Sequence, residues 1–177
     1  MSIDGFMAGQ NGEMDWMHHN WSQDLKDFVA FMIKPVDTIL LGRTLAEGFI
    51  PYWTDSYNSA NPSEGSDIFV NTPKVVFTKT LSDSKWANTI LAKGELKSEV
   101  YAIKNQSGGE IIDYGGVKFV SSLIKEKLID ELHLFINPTA IGQGMPIFQL
   151  MTENQNFQLL SCIQHDCGVA VLSYKLA

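Results

Sequence analysis

The sequence has little positive charge, and this shortage narrows the range of partners. Its 177 residues contain 13 Lys and Arg against 20 Asp and Glu, which gives a formal net charge of -7. The basic residues form no run, whereas a surface that binds nucleic acid needs clustered Lys and Arg to neutralise phosphates. We therefore expect no nucleic-acid partner.

Cysteine is also scarce. The two cysteines, Cys162 and Cys167, flank His165 and Asp166. Their spacing fits no familiar zinc pattern, and a structural zinc site needs four ligands. We expect reduced thiols with a structural role and no bound metal.

Long hydrophobic runs are absent as well. No apolar stretch approaches the roughly 20 residues of a membrane span, and the N-terminal segment MSIDGFMAG carries an acid and lacks the basic flank of a signal peptide. A hydrophobic content of 45% over this length is enough for one sizeable core. We expect a single cytoplasmic domain over residues 1–177 with no membrane contact.

The most informative stretch that is present is GGEIIDYGGVKFVSSLI, residues 108–124. It predicts a buried strand, a sharp turn at Gly115-Gly116 and a helix with apolar residues at helical spacing. The N-terminus of such a helix favours a phosphate or pyrophosphate, because its N–H groups and dipole point outward. The alternative is a tight strand-to-helix turn without a ligand.

Two more strands end in polar residues. The apolar run 38–41 passes into Gly42-Arg43-Thr44, and the run 74–77 passes into Thr78-Lys79-Thr80. Helical spacing predicts helices over 22–34, 62–70 and 96–103. Turn-forming residues predict an exposed loop over 52–66. Apolar runs and alternation predict a strand at 132–136 and a terminal hairpin over 157–176. This order predicts an α/β fold with a mainly parallel sheet and a C-terminal antiparallel hairpin.

The three polar strand ends indicate one ligand. Ligands of open α/β sheets bind beyond the carboxyl ends of the strands. Hydroxyls, two cations and two helix N-termini at that edge suit a pyrophosphate with an additional phosphate, as in NADPH. Arg43 and Lys79 would then favour the 2′-phosphate, unless both are simply solvated.

Five segments resemble one family in the same order: MSIDGFMAGQNGEMDWM, ILLGRTLAEGF, KVVFTKTL, IIDYGGVKFVSSLI and LIDELHLFINPTAIGQGMPIF. They are similar to the reductase domain of the bifunctional riboflavin-biosynthesis deaminase/reductase, and the chain looks like a stand-alone member. The resemblance implies the dihydrofolate reductase-like three-layer α/β/α fold, an NADPH-dependent reductase activity on a small molecule, and a homodimer.

The resemblance also implies the cofactor site. The residues that match are Ala8 and Gly9 at the nicotinamide end, Gly42, Arg43 and Thr44 at the pyrophosphate and ribose phosphate, Thr78, Lys79 and Thr80 at the adenosine end, and Tyr114, Gly115, Gly116, Val117 and Lys118 around the central pyrophosphate. One position departs, because many relatives have a threonine where this chain has Leu45. Thr44 lies one residue earlier, which turns its side chain by about 100° on a helix.

Asp4 is the first candidate to orient or protonate the substrate, because it is expected to end the first strand beside the nicotinamide loop. Asp24 is the second, since DLKDF resembles the carboxylate-bearing helix of dihydrofolate reductase. For both, the alternative is a helix cap or a turn-stabilising aspartate. Trp16 and Trp53 are candidates to stack on a flat heterocycle, or belong to the core or a dimer contact.

The sequence therefore predicts an NADPH-dependent reductase that transfers hydride to a riboflavin-pathway aminopyrimidine or to a pterin. A non-catalytic NADP(H)-binding or regulatory dimeric module is the alternative, and a purely structural dimerisation domain is a third possibility. His18-His19 are expected to lie in an exposed loop.

Overall fold

The structure is a computed structural model that describes residues 1–18 and 20–177. The expectation for His19 falls outside the described residues. The chain divides into two compact units. One unit comprises Met1–Phe31 with Val120–Ala177, the other comprises Met32–Phe119, and each is described by itself.

The unit Met32–Phe119 contains a four-stranded parallel sheet in the order β4-β3-β2-β5. The strands are β2 (Val36–Gly42), β3 (Lys74–Phe77), β4 (Thr89–Ala92) and β5 (Glu110–Asp113). Strand β2 is central and pairs with β3 and with β5, both in parallel. Its apolar run is buried, as expected for a strand covered on both faces. The predicted parallel sheet is thus confirmed.

Three helices belong to this unit: α2 (Arg43–Tyr57), α3 (Ser66–Asn71) and α4 (Leu96–Lys104). The predicted loop over 52–66 was wrong for residues 52–57, because α2 continues through Pro51 to Tyr57, whereas residues 58–65 form the expected irregular segment. Proline removes one helical hydrogen bond, yet Phe49 and Trp53 on either side of it pack on Phe69 of α3. This tertiary packing maintains the helix past the proline.

The other unit contains a three-stranded antiparallel sheet in the order β6-β9-β8 and a two-stranded pair, β1 with β7. The strands are β1 (Phe6–Ala8), β6 (Glu131–Ile136), β7 (Met145–Pro146), β8 (Phe157–Gln164) and β9 (Ala170–Leu176). The hairpin of β8 and β9 confirms the C-terminal prediction. Asp4 does not end the first strand as expected; it lies in the turn before β1.

Two further helices are α1 (Gln23–Ile33) and α5 (Val117–Lys125). The core of the parallel-sheet unit gathers Ile39, Leu41, Ala46, Ile50 and Val76. Two clusters in the other unit are built around Val120 with Ile124 and around Leu25 with Val171. Among the helices of the described residues, none is long and apolar enough to cross a membrane.

Candidate functional site

The three predicted polar strand ends lie at one edge of the parallel sheet. Strands β2, β3 and β5 run in the same direction, so their carboxyl ends lie on the same side. Gly42 ends β2 opposite Phe77 of β3, and Thr78 follows Phe77 directly. Asp113 ends β5 beside Leu40 of β2, and Tyr114 follows it. The structure therefore brings these three strand ends together, as the parallel order requires.

Close packing at this edge explains two of its glycines. A Cβ on Gly42 would lie 2.7 Å from Cβ of Phe119, and a Cβ on Gly116 would lie 3.3 Å from Cβ of Leu45. Gly115 and Gly116 also have φ angles of 106° and 84°, which side chains rarely adopt. Leu45, the position that departs from the family resemblance, packs beneath the glycine turn and against the core of the unit.

Two helices start at this edge with no acidic side chain in their first turns. Helix α2 begins at Arg43 after Gly42, which provides no side-chain cap, and α5 begins at Val117 after the glycine turn. The first N–H groups of a helix have no partner within the helix, and they lie at its positive dipole end. The glycine turn and these helix starts thus form a cradle that fits a phosphate-bearing group.

The two predicted cations have partners within the protein. Arg43 Nη1 lies 2.8 Å from Glu47 Oε1 in a half-exposed pair within α2. Lys79 Nζ donates to the carbonyl oxygen of Lys93 at 2.8 Å and also to that of Gly94. An exposed ion pair contributes only about 0–1 kcal/mol, so a phosphate could compete for Arg43.

The hydroxyl groups of the edge differ in exposure. Thr78 is buried, and its Oγ1 accepts from the backbone N–H groups of Thr80 and Leu81, both at 3.1 Å. Thr44 and Thr80 are exposed. Thr78 therefore shapes the turn, whereas Thr44 and Thr80 are accessible to a ligand.

Asp113 was not singled out from the sequence. Both of its carboxylate oxygens are buried and have no hydrogen-bond partner. Burial raises its pKa well above the ordinary value, and the nearby N–H of Gly115 opposes this shift without reaching hydrogen-bond geometry. The sequence signal that could have identified Asp113 was an acid in an apolar strand, two residues before a glycine turn.

Tyr114 and Trp53 belong to an aromatic cluster of the same unit. Tyr114 stacks on Phe49 at a centroid distance of 5.7 Å, and Trp53 lies 4.1 Å from Phe69. Burial raises the pKa of Tyr114 to about 12. These contacts give Trp53 a packing role, and its predicted contact with a substrate remains a prediction.

In the other unit, Ala8 and Gly9 begin a polar loop. Ala8 is buried at the end of β1, and the N–H of Gly9 donates to the carbonyl oxygen of Glu13 at 2.8 Å. Gly9 and Trp16 line a cavity of about 370 Å³ together with Ile141 and several polar side chains. The structure thus brings Gly9 and Trp16 to one cavity.

The two predicted catalytic carboxylates have protein partners in this unit. Asp4 Oδ2 accepts from the N–H groups of Ile141 at 3.1 Å and Gly142 at 2.7 Å. Its pKa is lowered, mainly by a hydrogen bond with the Ser2 side chain. These hydrogen bonds to its carboxylate oxygens favour the ionised form of Asp4.

Asp24 lies in the first turn of α1. Its Oδ2 is 2.9 Å from Nδ1 of the buried His165 and accepts from the N–H of Asp166 at 3.2 Å. Hydrogen bonds from Ser22 first, and then from His165, lower its pKa to about 2. Asp24 thus joins the helix start to the turn between β8 and β9, in line with the turn-stabilising alternative.

Comparison with known proteins gives a consistent family. The family model described as the RibD C-terminal domain matches residues 1–171. The Bacillus subtilis (strain 168) protein YyaP, which is uncharacterized, is 27% identical over 174 residues, covering 98% of this chain and 90% of its own length.

Solved structures agree on the fold. A Shewanella sp. PV-4 protein named for riboflavin biosynthesis is 23% identical with a TM-score of 0.73, covering 100% of this chain and 95% of that chain. Dihydrofolate reductase from Enterococcus faecalis, complexed with NADP(H), is 16% identical with a TM-score of 0.64, covering 99% of this chain and 92% of that chain. The predicted dihydrofolate reductase-like α/β fold is confirmed.

Proposed function

The chain belongs to the RibD C-terminal domain family, and from this premise we propose that it is an NADPH-dependent reductase of a small heterocycle. A riboflavin-pathway aminopyrimidine is the first substrate class, and a pterin is the second. The observation that carries the proposal is the shared carboxyl edge of β2, β3 and β5, where two helix starts and a glycine turn lie side by side.

The cofactor's phosphates fit this edge. Backbone N–H groups of the turn at Gly115 and Gly116, with Val117 and Lys118 at the start of α5, would hold the pyrophosphate. Arg43 and Thr44 at the start of α2 would contact the ribose phosphate, and the segment from Thr78 to Thr80 would contact the adenosine end. The fold is shared with a dihydrofolate reductase that was solved with NADP(H), which supports the choice of cofactor.

NADPH, when bound, supplies the hydride. The protein's part is to hold the ring and the substrate at a reacting distance and to exclude water. We assign contacts at the nicotinamide end to Ala8 and Gly9, and the face of Trp16 beside Gly9 would stack on the flat heterocycle.

Asp4 and Asp24 keep a proposed role in orienting the substrate. Their lowered pKa values make both carboxylates hydrogen-bond acceptors at neutral pH, suited to an amino or ring N–H group of a heterocycle. Each already accepts backbone N–H groups. Asp4→Asn should slow hydride transfer with little change in cofactor affinity, and an unchanged rate would exclude Asp4 from the chemistry.

A non-catalytic NADP(H)-binding module is the second candidate. It is favoured by the same two carboxylates, because an acid with a lowered pKa and several donors is a poor proton source. Turnover distinguishes the two. We expect oxidation of NADPH, followed by its absorbance, with a member of an aminopyrimidine and pterin panel. Binding of NADPH without turnover of any panel member would favour the module.

Cofactor binding is tested first. NADPH at about 100 times its dissociation constant should stabilise the native state by roughly 2.7 kcal/mol, with NADH doing far less. A thermal melt with each nucleotide measures this. If neither nucleotide shifts the melting temperature, the proposed function is wrong.

The phosphate selectivity rests on two side chains. Arg43→Ala and Lys79→Ala should each weaken NADPH by roughly tenfold, or about 1.4 kcal/mol, and should leave NADH nearly unchanged. Lys34→Ala, an exposed change of the same charge in the turn after α1, is the matched control. Equal losses for the two nucleotides would remove the argument for 2′-phosphate recognition.

The expected homodimer is measured separately by light scattering.

A further inference from the structure

Asp113 is an acid without a visible structural purpose. It ends β5 beside Leu40 of the central strand, and neither of its carboxylate oxygens has a hydrogen-bond partner. Burying a polar group without a partner is costly, and natural proteins retain few such groups. The neighbouring side chains of β5 give no compensation, because Ile112 and Tyr114 pack into the apolar cluster of the unit.

Asp113 lies two residues before the glycine turn, with Tyr114 between them. Gly115 and Gly116 follow in left-handed conformations, and α5 starts at Val117. The Gly115 N–H lies near the buried oxygens of Asp113, so a phosphate held by this turn would lie close to the carboxyl group. Two negative charges at such a distance in a low-dielectric setting repel each other strongly.

The surroundings of Asp113 favour the neutral form of its carboxyl group. Burial raises its pKa well above the ordinary value, and the Gly115 N–H only partly opposes the shift. In this state Asp113 adds no charge beneath the turn and carries a proton that could be donated to an acceptor.

We propose that Asp113 belongs to the anion site: a phosphate binds at the glycine turn while Asp113 carries its proton, and ionisation of Asp113 weakens binding. No bond other than the O–H of this carboxyl group forms or breaks, and the proton is exchanged with solvent. The inference rests on the proposed function, because NADPH would be the natural source of the phosphates.

Other charged groups lie on the flanking elements. Glu110 starts β5, Arg43 and Glu47 pair within α2, Lys118 lies in the first turn of α5, and Lys79 follows β3. The Asp113→Asn variant removes the titration of this carboxyl group alone, so its comparison with the wild type separates the effect of Asp113 from that of the other charged groups.

The experiment measures binding against pH. NADPH and sulfate are titrated by calorimetry from about pH 5 to about pH 9.5. Sulfate stays a dianion over this range, and comparison with Asp113→Asn removes the titration of the phosphate monoester near its second pKa of roughly 6. Two buffers of different ionisation enthalpy report the proton uptake. The proteins are the wild type, Asp113→Asn, and Asp83→Asn as an exposed control with the same charge change.

For the wild type and Asp83→Asn we expect proton uptake on binding and an affinity that falls by up to about tenfold per pH unit as Asp113 ionises. Asp113→Asn should keep its affinity and take up no proton. The carboxyl ¹³C shift of Asp113 in the wild type reports its protonation without any variant. A carboxyl ¹³C shift of an ionised group across the whole pH range, or a wild-type affinity with the same pH profile as Asp113→Asn, would overturn the inference.

The two proposals fail in different ways. If sulfate binds with the proton linkage and NADPH does not bind, the cofactor assignment is wrong and the role of Asp113 stands. If NADPH binds without any linkage, the cofactor assignment stands and the role of Asp113 is wrong. If neither ligand binds, the anion site is absent and both are overturned.

Discussion

Two carboxyl groups near helix starts have opposite pKa shifts. Asp24 lies in the first turn of α1, where Ser22, His165 and the N–H of Asp166 lower its pKa to about 2. Asp113 precedes α5, and burial without a partner raises its pKa. Proximity to a helix start is therefore a poor guide to charge; the available hydrogen-bond donors and water decide it.

The difference separates two kinds of region. The corner that joins α1 to the turn between β8 and β9 uses Asp24 to hold the chain together. The carboxyl edge of the parallel sheet leaves a carboxyl group without a partner beside a glycine turn. Asp24 Oδ1 and His165 Nε2 are also buried without a partner, whereas Asp113 lacks a partner at both of its oxygens. Unpartnered and perturbed groups concentrate at functional sites, so the carboxyl group with no partner at either oxygen directs attention to the second region.

The largest expected effect is the pH dependence that Asp113 gives to the free energy of unfolding. The pKa of Asp113 is higher in the folded state than in the unfolded state. The stability that its protonated form contributes is therefore fully present below the unfolded pKa of about 4, and it is lost as pH rises towards the folded value. Each pH unit within that window should cost about 1.4 kcal/mol of unfolding free energy. Chemical denaturation of Asp113→Asn should lack this slope, and Asp83→Asn should keep it. Parallel pH profiles for wild type and Asp113→Asn would contradict burial of an acid.

The second effect tests the glycine turn. Gly116→Ala should cost roughly 1–2 kcal/mol for its left-handed φ, with an additional cost from Leu45, and should abolish NADPH binding. Gly168→Ala in the turn between β8 and β9 has a similar φ of 87° and meets only an ordinary contact at 3.5 Å from Pro138. It should lose stability by a similar amount and bind NADPH normally. A Gly116→Ala protein that binds NADPH as the wild type does would show that this turn is no cofactor site.

The smallest effect tests Asp24. Its pKa is lowered, so the stability it contributes is present above the unfolded pKa of about 4 and is lost as pH falls towards about 2. Asp24→Asn should lower the melting temperature at neutral pH by a few degrees, on the order of 2–4 °C, and the difference should disappear in acid. Asp27→Asn, which alters an exposed contact with Gln23 one turn earlier in α1, is the control. Equal melting temperatures for both variants at neutral pH would exclude a stabilising role of Asp24.

Much of this fold could be predicted from local patterns. Continuous apolar runs marked β2 and β3, alternation marked the terminal hairpin, and Gly115-Gly116 marked the turn before α5. Such signals are local, because burial of a strand and a positive φ both leave their mark on the residue types at the site.

Other features had no adequate local signal. The composition of residues 52–66 indicated an exposed loop, yet α2 continues through Pro51 to Tyr57 because Phe49 and Trp53 pack on Phe69. Asp4 was expected to end a strand, but its carboxylate instead accepts N–H groups from Ile141 and Gly142, far away in the chain. Both outcomes depend on contacts between distant segments.

The sequence by itself determined that several strands end in glycine or hydroxyl residues followed by helices, because backbone freedom and apolar patterning are properties of neighbouring residues. Only the tertiary structure decided which of those ends share an edge, and which carboxyl groups find donors there. Hydrogen bonds and dehydration depend on atoms that meet through folding, so the opposite states of Asp24 and Asp113 could not be predicted from their places in the chain.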